Sequence, residues 1–474
     1  MAMKFKNQIG RESCRIEKSL FKVLHEFSYN PTCQPAGWNP PKGDFGKAQH
    51  NSFPEIKAPS RGLGVRVLKI ATLLFLVLST VLVSAQEDLN NYLETAAKNN
   101  PGLKARFNDY MAALEVAPQV KALPDPQVAF GYFIQPVETR VGPQRLKITA
   151  SQMFPWFGKL KAKENAAVQM AKAKYEAFQE TKSKLFNDVR STYFNLYFTH
   201  KAISVTNENL ELLHSIQKMA LIKVEAGIVP AVDEYRIEME LGDLENQLAL
   251  LKDKFYVQQA MFNNLLNTDT DSPVRIPETL WKTESSISKF AMLDSIRAQN
   301  HQLLSLDLQA ESLEYKKKVA ELSGKPDFNI GLSYTIIGKG NNNMAGTDAI
   351  MLPTVGITIP LYRNKYKSMV KEVVYQETAK KQEKINKQNV LETVFEQSWK
   401  DLEDAKRRIT LNEHQADLAQ KSLKLLETEY TTDSKNFEEI LRMDRKLLKY
   451  ELELEKARAD KQAALSFIDY LMGK

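Results

Sequence analysis

The residues of this chain that could do chemistry are few and scattered. His200, His214, His301 and His414 lie in stretches of helical texture, without partners at metal-ligand spacing. Surface or helix-seam positions account for them. Met219, Met239 and Met261 could line a path for a soft metal ion, but methionine as filler between helices is the simpler reading. Tyr193, Phe194, Tyr197 and Phe198 on one long helix read as packing rather than as a substrate platform. No glycine-rich phosphate loop, HExxH or serine-nucleophile motif occurs. What remains is a set of carboxylates beside two turns, Asp233 in one and Asp433, Glu438 and Glu439 in the other. The expectation is a protein that is not an enzyme and has no cofactor or metal site.

The elements that must position those turns begin after an unusual N-terminus. The 474 residues are 43% hydrophobic and 26% charged, neither a disordered nor a polytopic helical membrane composition. The one strongly apolar run, Ile70 to Val83, follows Arg61, Arg66 and Lys69 and precedes the small residues of Val83-Ser84-Ala85. Residues 66–85 read as a secretory signal peptide, with an N-terminal membrane anchor as the alternative. Residues 1–65, rich in proline and glycine between Pro31 and Pro41, read as a disordered or non-native extension, with translation starting near Val65. Residues 1–85 carry 12 of the 65 basic and 5 of the 58 acidic residues, so cleavage after Ala85 brings the formal charge from +7 to zero. A basic-protein argument for nucleic-acid binding therefore fails. Cleavage also removes Cys14 and Cys33, leaving no disulfide, thiolate or lipid-accepting cysteine.

The rest of the chain echoes itself. Leu123-Pro124-Asp125-Pro126 finds a counterpart in Lys325-Pro326-Asp327, Phe154-Pro155-Trp156 in Ile359-Pro360-Leu361, and Gly227 to Asp233 in Asp433 to Glu439. The spacing predicts two repeats, residues 86–267 and 288–474, joined by a linker over 268–287. Each begins with a helix, roughly Leu89 to Val116 and Ser288 to Leu322. Period-two alternation predicts strands over 127–135 and 145–154, then over 327–337 and 352–361, each with one apolar face. Helical hairpins follow over 158–267 and 364–472. Residues 159–226 and 364–432 contain no proline, enough for helices on the order of 100 Å long. The return helices carry heptad seams, Ile237-Leu241-Leu244-Leu248-Leu251 and Met443-Leu447-Tyr450-Leu454-Ala457, the pattern of coiled-coil packing. The fold class is α+β, with four strands and two long hairpins per chain. In an exported protein lipid is the natural cover for the apolar strand face, and strands span a membrane only as a closed barrel. Four strands cannot close a barrel, so copies of the chain must pool them.

This order of elements resembles the TolC-type outer-membrane efflux proteins over nearly the whole chain after residue 85. The junction Ser151-Gln152-Met153-Phe154-Pro155-Trp156-Phe157-Gly158-Lys159 and the tip Ala226-Gly227-Ile228-Val229-Pro230-Ala231-Val232-Asp233 are similar to theirs. The resemblance implies a homotrimer with a twelve-stranded barrel in the outer membrane of a Gram-negative cell and a helical tunnel in the periplasm. It implies docking to a periplasmic adaptor (a membrane fusion protein) and an inner-membrane transporter, of the resistance-nodulation-division type or ATP-driven. The Phe-Pro-Trp-Phe-Gly-Lys junction is similar to that of members serving heavy-metal pumps; multidrug efflux is the other expectation. By position, adaptor docking falls to Gly227, Ile228, Val229, Asp233, Thr432, Asp433, Phe437 and Leu441, and an entrance constriction to Glu438 and Glu439. Asp433 stands where the family often has glycine, and Arg442 where another acid can stand. A charge placed at Gly227 or Phe437 is expected to abolish efflux while sparing assembly. The alternatives are a periplasmic adaptor, which carries one hairpin rather than two, and a structural coiled-coil envelope protein, which needs no amphipathic strands.

Overall fold

Alternating sequence and proline-free sequence separate cleanly in space. The computed structural model describes residues 87–140, 142–281, 287–339, 350–433 and 437–474. The expected extension over 1–65, the signal peptide over 66–85 and residues 282–286 of the linker lie outside them.

Two helices, α1 (residues 87–99) and α2 (Pro101–Lys121), replace the single helix expected at the start. Asn100 separates them. Its Oδ1 accepts from the Leu103 N–H at 3.1 Å, capping α2, while its Nδ2 donates to the Leu265 carbonyl at 3.1 Å. Strands β1 (Gln127–Tyr132), β2 (Glu138–Thr139) and β3 (Gly142–Phe154) follow. The first hairpin is α3 (Lys159–Glu225, 67 residues) with α4 (Val232–Leu266, 35 residues). Helices α5 (Lys289–Gln299) and α6 (His301–Ser323) break at Asn300, whose Oδ1 accepts from Gln302 N–H at 3.0 Å and whose Nδ2 donates to the Leu471 carbonyl at 3.0 Å. Then come β4 (Asp327–Ile337), β5 (Ile350–Thr358), α7 (Arg363–Asp433, 71 residues) and α8 (Phe437–Leu471, 35 residues).

Three strands differ in extent from expectation; β3 begins at Gly142 rather than 145, and β5 at Ile350 rather than 352. β1 stops at Tyr132, although Phe133 N–H still reaches the Arg145 carbonyl at 3.0 Å, because Pro136 turns the chain away. β5 ends at Thr358 rather than 361, because its partner begins at Asp327 and Pro360 has no N–H to pair.

The sheet is antiparallel with order β1-β3-β4-β5, and β2 pairs only with β3. Its register puts Phe130, Ile148, Tyr334 and Met351 in one row, and Val128, Ala150, Leu332 and Pro353 two residues along on the same face. The opposite face carries Ala129, Thr149, Ser333 and Leu352, then Gln127, Ser151, Gly331 and Thr354. One face is thus apolar and the other mostly polar or small, with Met153 and Leu352 as exceptions, across strands from both halves of the chain.

Each long helix packs on its own return helix, α3 on α4 and α7 on α8, and the two hairpins meet through α3 and α8. Leu210, Leu213 and Ile216 of α3, Ile237, Leu241 and Leu244 of α4, Leu423 and Tyr430 of α7, and Ile440, Leu441 and Leu447 of α8 form one core near the tips. The heptad residues of both return helices face inward, as their spacing requires. Higher up, Tyr193, Phe194 and Tyr197 are buried with Phe262, packed as expected rather than open to a substrate.

Candidate functional site

The tips are built by two different chain reversals. At the first, α3 ends at Glu225 and Gly227 takes φ +70°, a conformation that side chains with a Cβ rarely adopt. Ile228 N–H then donates to the Lys223 carbonyl at 2.9 Å, which satisfies a carbonyl at the helix end. Ile228 is exposed, whereas Val229 turns in and joins the four-helix core. At the second tip α7 runs to Asp433, residues 434–436 lie outside the description, and α8 resumes at Phe437. The Thr432 hydroxyl donates back to the Glu429 carbonyl at 3.0 Å.

The two tips are tied to each other. Lys223 Nζ donates to the Tyr430 and Thr431 carbonyls and stands 4.5 Å from the centre of the Tyr430 ring. Tyr430 packs on Phe437 with ring centroids 5.2 Å apart. Arg236 reaches Asp233 at 3.3 Å and Glu438 at 3.4 Å, spanning from one hairpin to the other. Burial raises the Asp233 carboxyl above its usual range, against the pull of Arg236.

The residues expected at the tips therefore divide. Gly227, Ile228, Thr432 and Glu438 are open to a partner, while Val229, Asp233, Phe437 and Leu441 are buried within the chain. A charge at Phe437 would strike the hairpin core before it touched any docking surface, so the expected separation of efflux from assembly does not hold there. Glu438 and Glu439, expected to form a constriction, each have a guanidinium partner, Arg236 and Arg442.

Some histidine and methionine expectations also shift. His301 bonds Glu176 at 2.7 Å and the Gly473 carbonyl at 3.2 Å, a structural tie. Met239 and Met261 are exposed and so are not core filler; Met219 does pack against the core. Among the described residues no cluster of histidine and carboxylate side chains is placed to hold a metal ion.

Deeper in the hairpin crossing lies a group that sequence reasoning did not single out. Asp444 of α8 is 1% exposed, and Asn209 Nδ2 of α3 donates to its Oδ1 at 2.7 Å. Glu240 of α4, Glu427 of α7 and Glu451 of α8 surround it with negative charge, and Arg445 is engaged by Glu240 at 3.0 Å. Burial, more than these neighbours, pushes the Asp444 carboxyl up to about 7. The Asn209 Oδ1 has no hydrogen-bond partner among the described residues. A polar pair 235 residues apart leaves no local trace in sequence. The only clue was an aspartate one residue past a heptad position.

The sheet is the second functional surface. Its apolar face is bare, with Phe130 73% and Val355 76% exposed, while Ser333 on the polar face is 3% exposed. On that polar face Thr149 and Ser333 hydroxyls lie 3.2 Å apart, and a Cβ at Gly331 would meet Thr354 Oγ1 at 2.7 Å. The polar face is thus close-packed around Gly331 and Ser333 in the middle of the sheet, while the apolar face lies open. β1 and β5 each have an unpaired edge among the described residues. No helix of the described residues is long and apolar enough to cross a membrane.

Residues 92–268 match the family model described as outer membrane efflux protein. Toxin and drug export protein A of Aggregatibacter actinomycetemcomitans is 24% identical over 207 residues, 43% of this chain and 45% of that protein. The match thus spans under half the length of that relative. Among solved structures, the outer-membrane channel OprN is similar with a TM-score of 0.69 at 13% identity, covering 82% of this chain and 90% of the other. The outer membrane protein VceC from Vibrio cholerae is similar with a TM-score of 0.66 at 14% identity, covering 83% and 98%.

Proposed function

We propose that this chain, whose residues 92–268 match the outer membrane efflux protein model, belongs to that family and is one subunit of a homotrimeric exit duct through the outer membrane. The chain resides in the outer membrane with its helical part in the periplasm. It is a conduit, not an enzyme. The observation that carries the reading is the sheet, apolar on one face and mostly polar or small on the other, with two open edges among the described residues. Lipid satisfies the apolar face, water the polar face, and only neighbouring copies can satisfy the edges.

Four long strands fall short of the roughly eight that close the smallest barrels, and three chains supply twelve. The helices support the same assembly. α7 exposes Leu411, Leu418 and Leu425 at heptad spacing, and α4 exposes Tyr235, Met239, Leu250 and Val257. Neither face has a partner among the described residues, and each suits the other on a neighbouring copy. The tips would meet a periplasmic adaptor and, through it, an inner-membrane pump. Gly227, Ile228, Thr432 and Glu438 are the residues open for that contact. Asp433 belongs with them by position.

Cargo is set by the pump, and heavy-metal ions and drugs remain the two expected classes. Passage of either needs no binding site in a duct. The test is membrane fractionation combined with native mass measurement. A heat-modifiable trimer in the outer-membrane fraction is expected; a soluble periplasmic monomer refutes the reading.

A further inference from the structure

Below the last strand residues the surface changes from apolar to basic within one helical turn. Trp156 stacks on Phe328 of the apolar face, ring centroids 5.7 Å apart and 19° from parallel. Phe157 lies against the same ring at 6.2 Å and is 78% exposed. Past β5, Ile359 and Leu361 continue the apolar alternation, and Tyr362 is 81% exposed. Asp327 fixes this level by accepting from Trp156 N–H at 2.8 Å and from Lys159 Nζ at 3.2 Å.

Immediately beyond come Arg363, Lys365, Lys367 and Lys371, all exposed, with no acidic residue between 361 and 371. None of the four makes an ion pair among the described residues. They occupy the first turns of α7, where the helix dipole already presents positive charge and disfavours cations. Lys325 is exposed on the neighbouring loop, and Gly324 beside it approaches the Tyr366 side chain of α7, a Cβ there lying 3.5 Å away. Local stability would put acids at this helix start. A basic patch placed against that preference, and continuous with exposed aromatics, requires an anionic partner at the level where an apolar surface ends.

We propose that this aromatic-and-basic rim is a docking surface for the anionic phospholipid headgroups of the periplasm-facing leaflet. Long lysine and arginine stems lie along the apolar rim while their charged ends reach the headgroup phosphates. The inference rests on the outer-membrane placement of the sheet and adds a lipid preference to it.

The test uses the full-length protein in detergent, equilibrated with equal amounts of dioleoyl-phosphatidylglycerol and dioleoyl-phosphatidylcholine, then gel-filtered. Retained lipid is quantified by mass spectrometry. Phosphatidylglycerol should be retained over phosphatidylcholine by roughly tenfold. The ratio should fall towards one in about 1 M salt, where screening shortens the reach of charge. The variant R363Q/K365Q/K367Q/K371Q should lose the preference at low salt, whereas K446Q/K449Q on α8 should keep it. Equal retention of the two lipids by the unaltered protein, or a preference that survives in the quadruple variant, overturns the proposal. So does displacement of phosphatidylglycerol by inorganic phosphate at equal charge, which would assign the patch to free phosphate. Should the quadruple variant not assemble, the salt titration of the unaltered protein still decides. Absence of the protein from the outer-membrane fraction is a separate result, and overturns the channel reading instead.

Discussion

Replacing Asp444 by asparagine should make the protein more stable at pH 8 and leave it unchanged near pH 4. The native carboxyl titrates at about 7 because it is buried between four helices, with one donor and three carboxylates around it. In the unfolded chain it returns to the ordinary aspartate value of 3.8. The folded state therefore holds the proton more tightly, and stability is full below the unfolded value. It falls as pH rises from 3.8 towards 7, then levels off. At about 1.4 kcal/mol per pH unit over that interval, the ionised form costs about 4 kcal/mol at pH 8. Asparagine keeps the acceptor that Asn209 Nδ2 uses, carries no charge, and adds donors near the unpaired Asn209 Oδ1. Thermal unfolding followed by circular dichroism at pH 4, 6 and 8 should show the variant gaining roughly 5 °C on the unaltered protein at pH 8, and almost nothing at pH 4. Glu427 and Glu451, whose carboxyls burial also raises, are present in both proteins and cancel in the comparison. Parallel pH profiles, or a variant less stable at pH 8, would refute the assignment of Asp444 as a buried, proton-holding group.

Other perturbations separate the remaining interfaces. Leu418→Asp, on the face α7 turns away from its own hairpin, should abolish the trimer in native mass measurement while leaving helix content near that of the unaltered chain; a surviving trimer would remove α7 from the seam. Arg236→Ala cuts a half-exposed tie between the tips, so it should cost under about 1 kcal/mol in stability yet raise single-channel conductance in planar bilayers. Unchanged conductance would show that this bridge does not restrain the tips. Asn300→Ala removes a cap and the bond to Leu471, with an expected loss of about 1–2 kcal/mol in unfolding free energy read from urea titration, and Asn300→Asp should restore the capping part alone.

Periodicity carried most of the fold because periodicity is local. The alternation of Phe328, Ile330, Leu332 and Tyr334 set β4 to within its observed ends, and the absence of proline between 364 and 432 set α7 to within one residue. Caps were less legible. Asn100 and Asn300 each break a helix and hold the end of a return helix, yet the second half of that task depends on a carbonyl about 165 residues away. The tip residues show the same limit more sharply. Glycine at 227 announces a turn by its own chemistry, but nothing in the string says that Val229 and Phe437 face inward or that Asp233 is shielded by Arg236. The direction of a side chain at a chain reversal is decided by the other hairpin. Asp444 is the extreme case, since its partner, its burial and its proton affinity all come from α3, α4 and α7.

The two unpaired edges of the sheet also govern the life of the chain before it has neighbours. A lone copy in the periplasm offers β1 and β5 as templates, next to a broad oily surface with no bilayer to cover it. Such a surface pairs with whatever strand arrives first, correct or not. Biogenesis is then a race between rightful association and aggregation, and its outcome depends on concentration, on holding factors and on the delay before insertion. The open edges that would let copies of the chain complete a pore make each of them a hazard while alone.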